Sequence, residues 1–293
     1  MCAARSIADD RGAVVAARHA GAESIATAVI RLPLPTPTLP PATTTNHILL
    51  GGEHAVVVDP ASPDKEAQAR LIALISDLQR DAGWHFEGLL LTHHHRDHVG
   101  AASALAGRLA LPVIAHSQTA SRLADRIVVD RLIGDGDIVA GQWRVLHTPG
   151  HAPGHVVLHD REGAGMIAGD MVAAEGTIIV DPADGGSMAQ YLASLRRLAA
   201  LAPTWLVPAH GGVIREPAAV LDFYIRHRLE REARVLDALD RRWRAPLRLL
   251  PTVYGDVPRL VWPIALRSLD AHLIHLAEQG LIERRRDTWR RLA

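Results

Sequence analysis

The sequence predicts an α+β fold, with a body of alternating strands and helices followed by a smaller, basic, helical C-terminal domain. Three observations predict it. Short apolar runs bounded by Gly and Pro alternate with segments of helical periodicity up to about residue 222. With 48% apolar and 22% charged residues, a chain of 293 residues can build one large core, or one large and one small. From Asp222 onward 15 Arg face 10 Asp plus Glu, so the tail carries about +5 within a chain whose 32 basic and 32 acidic residues balance.

Taken in order, the first twenty residues are rich in Ala but interrupted by Asp9, Asp10, Arg11 and Arg18. They lack the apolar core of a signal peptide and read as a frayed extension over 1–24. No stretch has the length needed to cross a bilayer. The single cysteine, Cys2, forms no intramolecular disulfide and supplies no thiolate to a buried site, which suits a reducing cytoplasm. Pro33, Pro35, Pro37, Pro40 and Pro41 exclude a regular element from residues 31–45. Ile48–Leu50 and Ala55–Val58 flank Gly51-Gly52 as a hairpin. Ser62-Pro63-Asp64 offers an N-cap, a first-turn proline and an early acid to a helix through Ala67, Leu71, Leu74, Ile75 and Leu78, ended by Gly83. Leu89–Thr92 is a buried strand, 101–110 a helix, and 112–116 extended. Trp143–Thr148, Val156–His159 and Met166–Ala168 are further strands. Ser187-Met188-Ala189-Gln190 is a capping box before Leu192, Leu195 and Leu198. Thr204–Val207 is the last strand of the body.

The tail opens with a long Arg-rich helix from Phe223 to about Arg242. A second helix around Ile264–Gln279 follows, stopped by Gly280. Leu281–Glu283 and Thr288–Arg290 pair as a terminal hairpin. Helices closed by a small hairpin predict a winged-helix-like module over 223–293, leaving 25–222 as the main domain.

The chemistry concentrates in Thr92-His93-His94-His95-Arg96-Asp97-His98. At a strand end, His93 and His95 lie two apart and so share a face, the geometry that grips one metal ion. Asp97 and His98 follow where the chain turns toward a helix and reach a second position. Neutral imidazoles and carboxylates suit zinc and its borderline neighbours, and a pair of such ions activates water. An isolated pair of histidines would be read as a solvated loop. Four ligand-type residues in six positions after an apolar strand argue against that.

Thr92–His98 resembles the HxHxDH motif of the metallo-β-lactamase superfamily, and the resemblance continues in order. Thr148-Pro149-Gly150-His151, Ala168-Gly169-Asp170 and Pro208-Ala209-His210-Gly211 look like its later ligand motifs, and Val58-Asp59 like its early strand ending in Asp. The resemblance spans roughly residues 25–222, and the ordered set is far more specific than any one motif. It implies a four-layer αββα metallo-β-lactamase sandwich carrying a small C-terminal winged-helix-like domain. It also implies that His93, His95 and His151 bind one metal and Asp97, His98 and His210 a second. Asp170 would bridge the two, opposite a bridging hydroxide that Asp97 orients toward the substrate. Asp59 and Thr92 would orient these ligands, and His155 would stand behind them or face substrate. The implied cofactors are two divalent ions, zinc first, with iron and manganese also accepted by this set. His94 is expected to be structural or on the surface, His116 to lie on the cleft rim or equally to be a plain surface residue, and Arg96 to project from the loop toward an anionic substrate. His227, His272 and His275 are assigned to packing or solvent.

The branch follows by comparison with the superfamily. Asp170 together with the missing Cys argues against lactam hydrolysis. Flavodiiron reductases carry Glu where His95 stands, and β-CASP nucleases need a whole domain between Asp170 and His210. The group with a winged-helix-like tail is similar at Gly176-Thr177, Ser187, Tyr191-Leu192 and Tyr224-Ile225-Arg226-His227-Arg228. That group includes carrier-protein thioesterases and a single-strand endoribonuclease. The expected activity is hydrolysis of a thioester or related ester of acyl-CoA, acyl-carrier or glutathione type, with endoribonuclease as the alternative. A non-catalytic metal-binding protein is the third reading, disfavoured by the full ligand set. Expected partners are a small-molecule or carrier-bound ester, with RNA under the alternative and no membrane. A homodimer is expected too, since winged-helix modules also mediate dimers.

Overall fold

The computed structural model describes residues 11–161 and 164–292. It divides into two compact units. One comprises the chain up to His147 with Gly154–Gly176 and Thr204–Arg215; the other comprises Thr148–Pro153, Thr177–Pro203 and the chain from Glu216.

The first unit is built on two sheets. The larger runs β1 (Glu23–Ala26), β2 (Val29–Pro35), β3 (Thr44–Leu50), β4 (Ala55–Val58), β5 (Phe86–Leu91), β6 (Val113–His116) and β7 (Arg131–Ile133) in spatial as in chain order. Pairing is antiparallel through β4 and parallel beyond it. The smaller sheet has the order β12 (Trp205–Pro208), β11 (Gly165–Gly169), β10 (Val156–Asp160), β9 (Trp143–His147) and β8 (Ile138–Val139). Strand alternation sorts the side chains into layers. Ile30, Leu32, Leu49, Val57 and Leu89 pack on Leu71, Leu74 and Ile75 of helix α2 (Lys65–Asp77). Their neighbours Val29, Ile48, Leu50, Val56, Val58 and Leu90 point the other way and meet Val145, Val156, Leu158, Ile167 and Val207 of the smaller sheet. Each such aliphatic side chain contributes about 1.5–3 kcal/mol on burial, so this two-faced pattern fixes the strand register.

Parallel strands β4 and β5 end side by side, Val58 opposite Leu90, as do β11 and β12, Gly169 opposite Pro208. The loops leaving these four ends carry Asp59, Thr92–His98, Asp170 and His210. Crevices outside the carboxyl ends of parallel strands are where α/β sheets place their chemistry.

Several expectations are corrected. The N-terminal extension is part of the fold from residue 11: 11–16 form a helix, α1, whose Val15 and Ala16 enter the main core beside Trp84. Residues 1–10, with Cys2, lie outside the described residues. Pro33 and Pro35 do belong to a strand. They lie two apart, so both nitrogens face the same edge, and β1 covers that edge only as far as Arg31. Neither proline therefore costs a ladder hydrogen bond. Asp64, not Ser62, caps α2, its side chain accepting from Ala67 N at 2.8 Å. Strand β5 stops at Leu91, so His93 and His95 stand in the bend beyond it. There His95 opens the short helix α3 (Arg96–Val99), which α4 (Ala102–Leu109) and α5 (Ser117–Leu123) follow.

The second unit holds α6 (Met188–Ala200), capped by Ser187 as its sequence requires, then α7 (Pro217–Asp237), α8 (Leu250–Val253) and α9 (Trp262–Glu278). Strands β13 (Ile282–Arg285) and β14 (Thr288–Arg291) form the expected hairpin. Its core gathers Val235, Leu250, Val253, Leu269, Leu273, Leu276, Ile282 and Trp289. Helix α7 begins at Pro217, a residue suited to a first turn, so a boundary at 222 cuts through it. Among the described residues no helix is long and apolar enough to cross a membrane.

Candidate metal centre

The centre is organised from beneath by a buried carboxylate. Asp59, just past β4, sits in the left-handed region at φ 50°, which is uncommon for a residue with a side chain. That conformation lets one carboxylate take three donors: Thr92 N at 2.7 Å, Thr92 Oγ1 at 2.7 Å and His98 Nδ1 at 2.8 Å. Because Thr92 Oγ1 spends its proton on Asp59, it accepts from His93 Nδ1 at 3.0 Å. Asp59 and Thr92 thus select the Nδ1–H tautomers of His98 and His93, so that each neutral ring carries its lone pair on Nε2.

Those lone pairs face the cluster. His93 Nε2 and His95 Nδ1 converge to 2.9 Å. His98 Nε2 lies 3.5 Å from Asp170 Oδ2 and 3.9 Å from Asp97 Oδ1. His210 donates from Nδ1 to Thr44 O at 3.0 Å, and its Nε2 lies 3.6 Å from Asp170 and 3.7 Å from Asp97. The ligand atoms of Asp97, His98 and His210 lie within 4.8 Å of one another, as do those of His93, His98 and Asp170. Asp170 thus groups with His98 and with His93. Asp97 is held at both ends, its Oδ2 accepting from Thr38 Oγ1 at 2.5 Å and its carbonyl from Thr45 Oγ1 at 2.9 Å.

This donor set fits a divalent ion. Fully buried, His98 Nε2 has no hydrogen-bond partner among the described residues, a costly state for a ring nitrogen that a cation relieves. Burial alone would lower the pKa of His98, but the Asp170 and Asp59 carboxylates outweigh it and raise that pKa well above its ordinary value. The same negative field favours any cation placed there.

The remaining expected residues have definite positions. His155 is buried and accepts from Asp170 N at 3.0 Å, so it holds the backbone of Asp170 and does not face solvent. Gly169 before it has φ 51°, and a Cβ there would stand 2.5 Å from His155 Nε2, so only glycine lets the chain reach Asp170. His151 belongs to the second unit, where its Nδ1 meets Ile179 O at 2.7 Å. His94 is buried, Arg96 is exposed, and His116 stacks on His147 with ring centroids 4.1 Å apart.

Three supports were not expected. Asn46 Nδ2 donates to Pro208 O and to Gly211 O, both at 2.8 Å, bracketing His210. Thr38 steers Asp97. His47, buried and lowered by desolvation to a pKa of about 4, stays neutral. Its Nδ1 donates to Thr45 O, and its Nε2 accepts from Ala61 N at 3.0 Å and Ser62 N at 3.3 Å, fixing the loop that carries Asp59. Asn46 and His47 sit inside an apolar strand, where only a polar residue on a core-facing run marks them.

Comparison with known proteins agrees with this geometry. A metallo-beta-lactamase superfamily domain is recognised over residues 40–210 and a beta-lactamase associated winged helix domain over 246–289. The beta-lactamase-like protein 2 homolog of Drosophila melanogaster is 30% identical over 251 residues, covering 80% of this chain and 83% of that protein. A hydroxyacylglutathione hydrolase of Aeromonas hydrophila subsp. hydrophila is 36% identical over 177 residues, 57% of this chain and 61% of its own. The crystal structure of a metallo-beta-lactamase family protein from Thermus thermophilus aligns with a TM-score of 0.75 at 25% identity, over 92% of this chain and 100% of that one. With paired mixed sheets, a His/Asp cluster at their carboxyl ends and these relatives, the chain belongs to the metallo-beta-lactamase superfamily, as a metal-dependent hydrolase that carries the associated winged helix domain.

Proposed function

We propose that the chain hydrolyses a thioester or related ester, with the acyl group carried on glutathione, CoA or a carrier protein, using two divalent ions. The carrying observation is the convergence of Asp97, His210 and Asp170 around the buried His98 Nε2, which makes no hydrogen bond among the described residues. Thioesters are favoured because hydroxyacylglutathione hydrolases stand among the relatives and Asp170 is present in a site without Cys. His93, His95 and His151 would hold the first ion, and Asp97, His98 and His210 the second, with Asp170 a ligand shared between them. The all-nitrogen and oxygen set suits zinc first, with iron or manganese also accommodated. Bound together, two such ions lower the pKa of water toward neutrality and polarise a carbonyl oxygen.

The chain's own groups supply orientation. Asp97, held through Oδ2 by Thr38, presents Oδ1 to accept a water proton. Asp59 and Thr92 fix the ring orientation of His98 and His93. Metal-replete protein should release free thiol from one member of a panel of acyl-glutathione, acyl-CoA and acyl-carrier substrates. Asp97→Ala or His98→Ala should lower kcat/KM about 10²–10⁴-fold. No thiol release from any of them would sink this reading.

One observation favours single-stranded RNA as a second substrate class. On the C-terminal domain the guanidinium groups of Arg285 and Arg290 stack over Trp243, 5.8 Å and 4.6 Å from its ring centre, with Arg241, Arg242 and Arg286 exposed nearby in the chain. Cleavage of unstructured RNA, with affinity falling steeply as salt rises, would move the assignment there. If neither class of substrate is cut, the metal-binding interaction reading stands.

A further inference from the structure

The second unit contains a route from helix α7 to the His151 ring. The loop bearing His151 is clamped to the start of α6: Ser187 N donates to Gly150 O and Ser194 Oγ to Pro149 O, both at 2.8 Å. Gly150 has φ 137°, and a Cβ there would lie 2.3 Å from the backbone of Tyr191, so the loop tolerates no side chain at that point. Beyond the loop, His151 Nδ1 is 2.7 Å from Ile179 O. A carbonyl can only accept, so Nδ1 carries the proton and the lone pair lies on Nε2. The Ile179 carbonyl therefore selects the tautomer that a metal ligand needs.

Residues 177–180 belong to no helix or strand. Their position depends on side chains from two helices. Arg228 of α7 donates to Ile178 O and, at 3.0 Å, to Thr177 Oγ1, and Ser268 of α9 accepts from Val180 N at 3.4 Å. Arg228 is only 2% exposed, lies 5.3 Å from the Tyr191 ring centre, and pairs with no carboxylate among the described residues. An unpaired buried guanidinium is expensive, so neighbours that neutralise no charge make a purely packing role a poor account of it.

We propose that Arg228 is a positioning residue for His151, acting through Thr177–Ile179. The second unit thereby sets the orientation and donor strength of one ligand of the first ion. The inference rests on the assignment of His151 as a ligand. In full-length protein, chelator competition should show Arg228→Met weakening one of two ions about 10–100-fold while the other is unchanged. Arg228→Lys, which keeps one donor, should recover part of that loss. Imidazole 15N shifts of the metal-free protein should show His151 as the Nδ1–H tautomer in wild type and as a mixture in Arg228→Met, a change that general loosening would not confine to one ring. Thr177→Val, at an exposed position, removes one of the two acceptors and should weaken the same ion about threefold even if Arg228→Met fails to fold. His151→Ala separates the two claims. If it leaves both affinities intact, the ligand assignment fails. If it abolishes one while folded Arg228 and Thr177 variants keep wild-type affinity and tautomer, the positioning role is overturned.

Discussion

His98 and His151 are both oriented through Nδ1, but by different chemistry. In the first unit His98 donates to the Asp59 carboxylate, which also takes both donors of Thr92, so three elements share one buried charge. In the second unit His151 donates to a neutral peptide carbonyl in an irregular segment that depends on Arg228. A carboxylate makes the ring more basic and adds to the field that holds a cation, whereas a carbonyl only aims it. The first arrangement concentrates cost and benefit in one residue. The second distributes them over several weak contacts, each of modest effect.

This contrast can be broken most directly at Asp59. Asp59→Ala leaves three buried donors without their acceptor and should cost about 3–5 kcal/mol, read as a fall in the denaturation midpoint of the metal-free protein. It should also reduce retention of the second ion. A change under about 1 kcal/mol would show that the carboxylate is no organiser.

A second test uses acid. The folded pKa of His47 is about 4 against an ordinary 6.5, so its contribution is complete above pH 6.5 and is lost as pH falls through 4. The total is about 3 kcal/mol. Urea unfolding of chelator-treated protein should show wild type losing stability across that window, with His47→Gln nearly flat there. Parallel slopes would remove His47 from the account of the Asp59 loop.

The smallest effect belongs to the second unit. Ser194→Ala removes the donor to Pro149 O and should cost about 1 kcal/mol in thermal unfolding, as one contact among several should. A loss as large as that at Asp59 would erase the contrast between the two regions.

What the sequence disclosed follows the same division. The candidate ligands His93–His98 were legible because they cluster directly after an apolar strand, whereas His151, Asp170 and His210 were named only through the resemblance to the superfamily. The hairpin, most strands and the Ser187 cap were legible from local periodicity and capping chemistry. The supports were not. Asn46 meets Pro208 across 162 residues and Thr38 meets Asp97 across 59, and no local pattern encodes a tertiary hydrogen bond. The prolines of β2 misled because a proline is excluded by its sheet position, not by its presence, and β1 stops short of them. The helix over 11–16 was missed because its small apolar face gains meaning only beside Trp84.

The bracket made by Asn46 has a consequence for how the molecule comes into being. On a ribosome, β3 and the Thr92–His98 loop emerge long before Pro208 and Gly211. Until those residues follow, the amide of Asn46 lacks both acceptors and His210 does not yet exist to close the second position. At that stage the emerged loop presents His93, His95, Asp97 and His98 without Asp170 or His210, an arrangement closer to an open chelate than to the assembled cluster. The Asp97, His98 and His210 group is therefore assembled only once the smaller sheet, which carries His210, has closed against the larger.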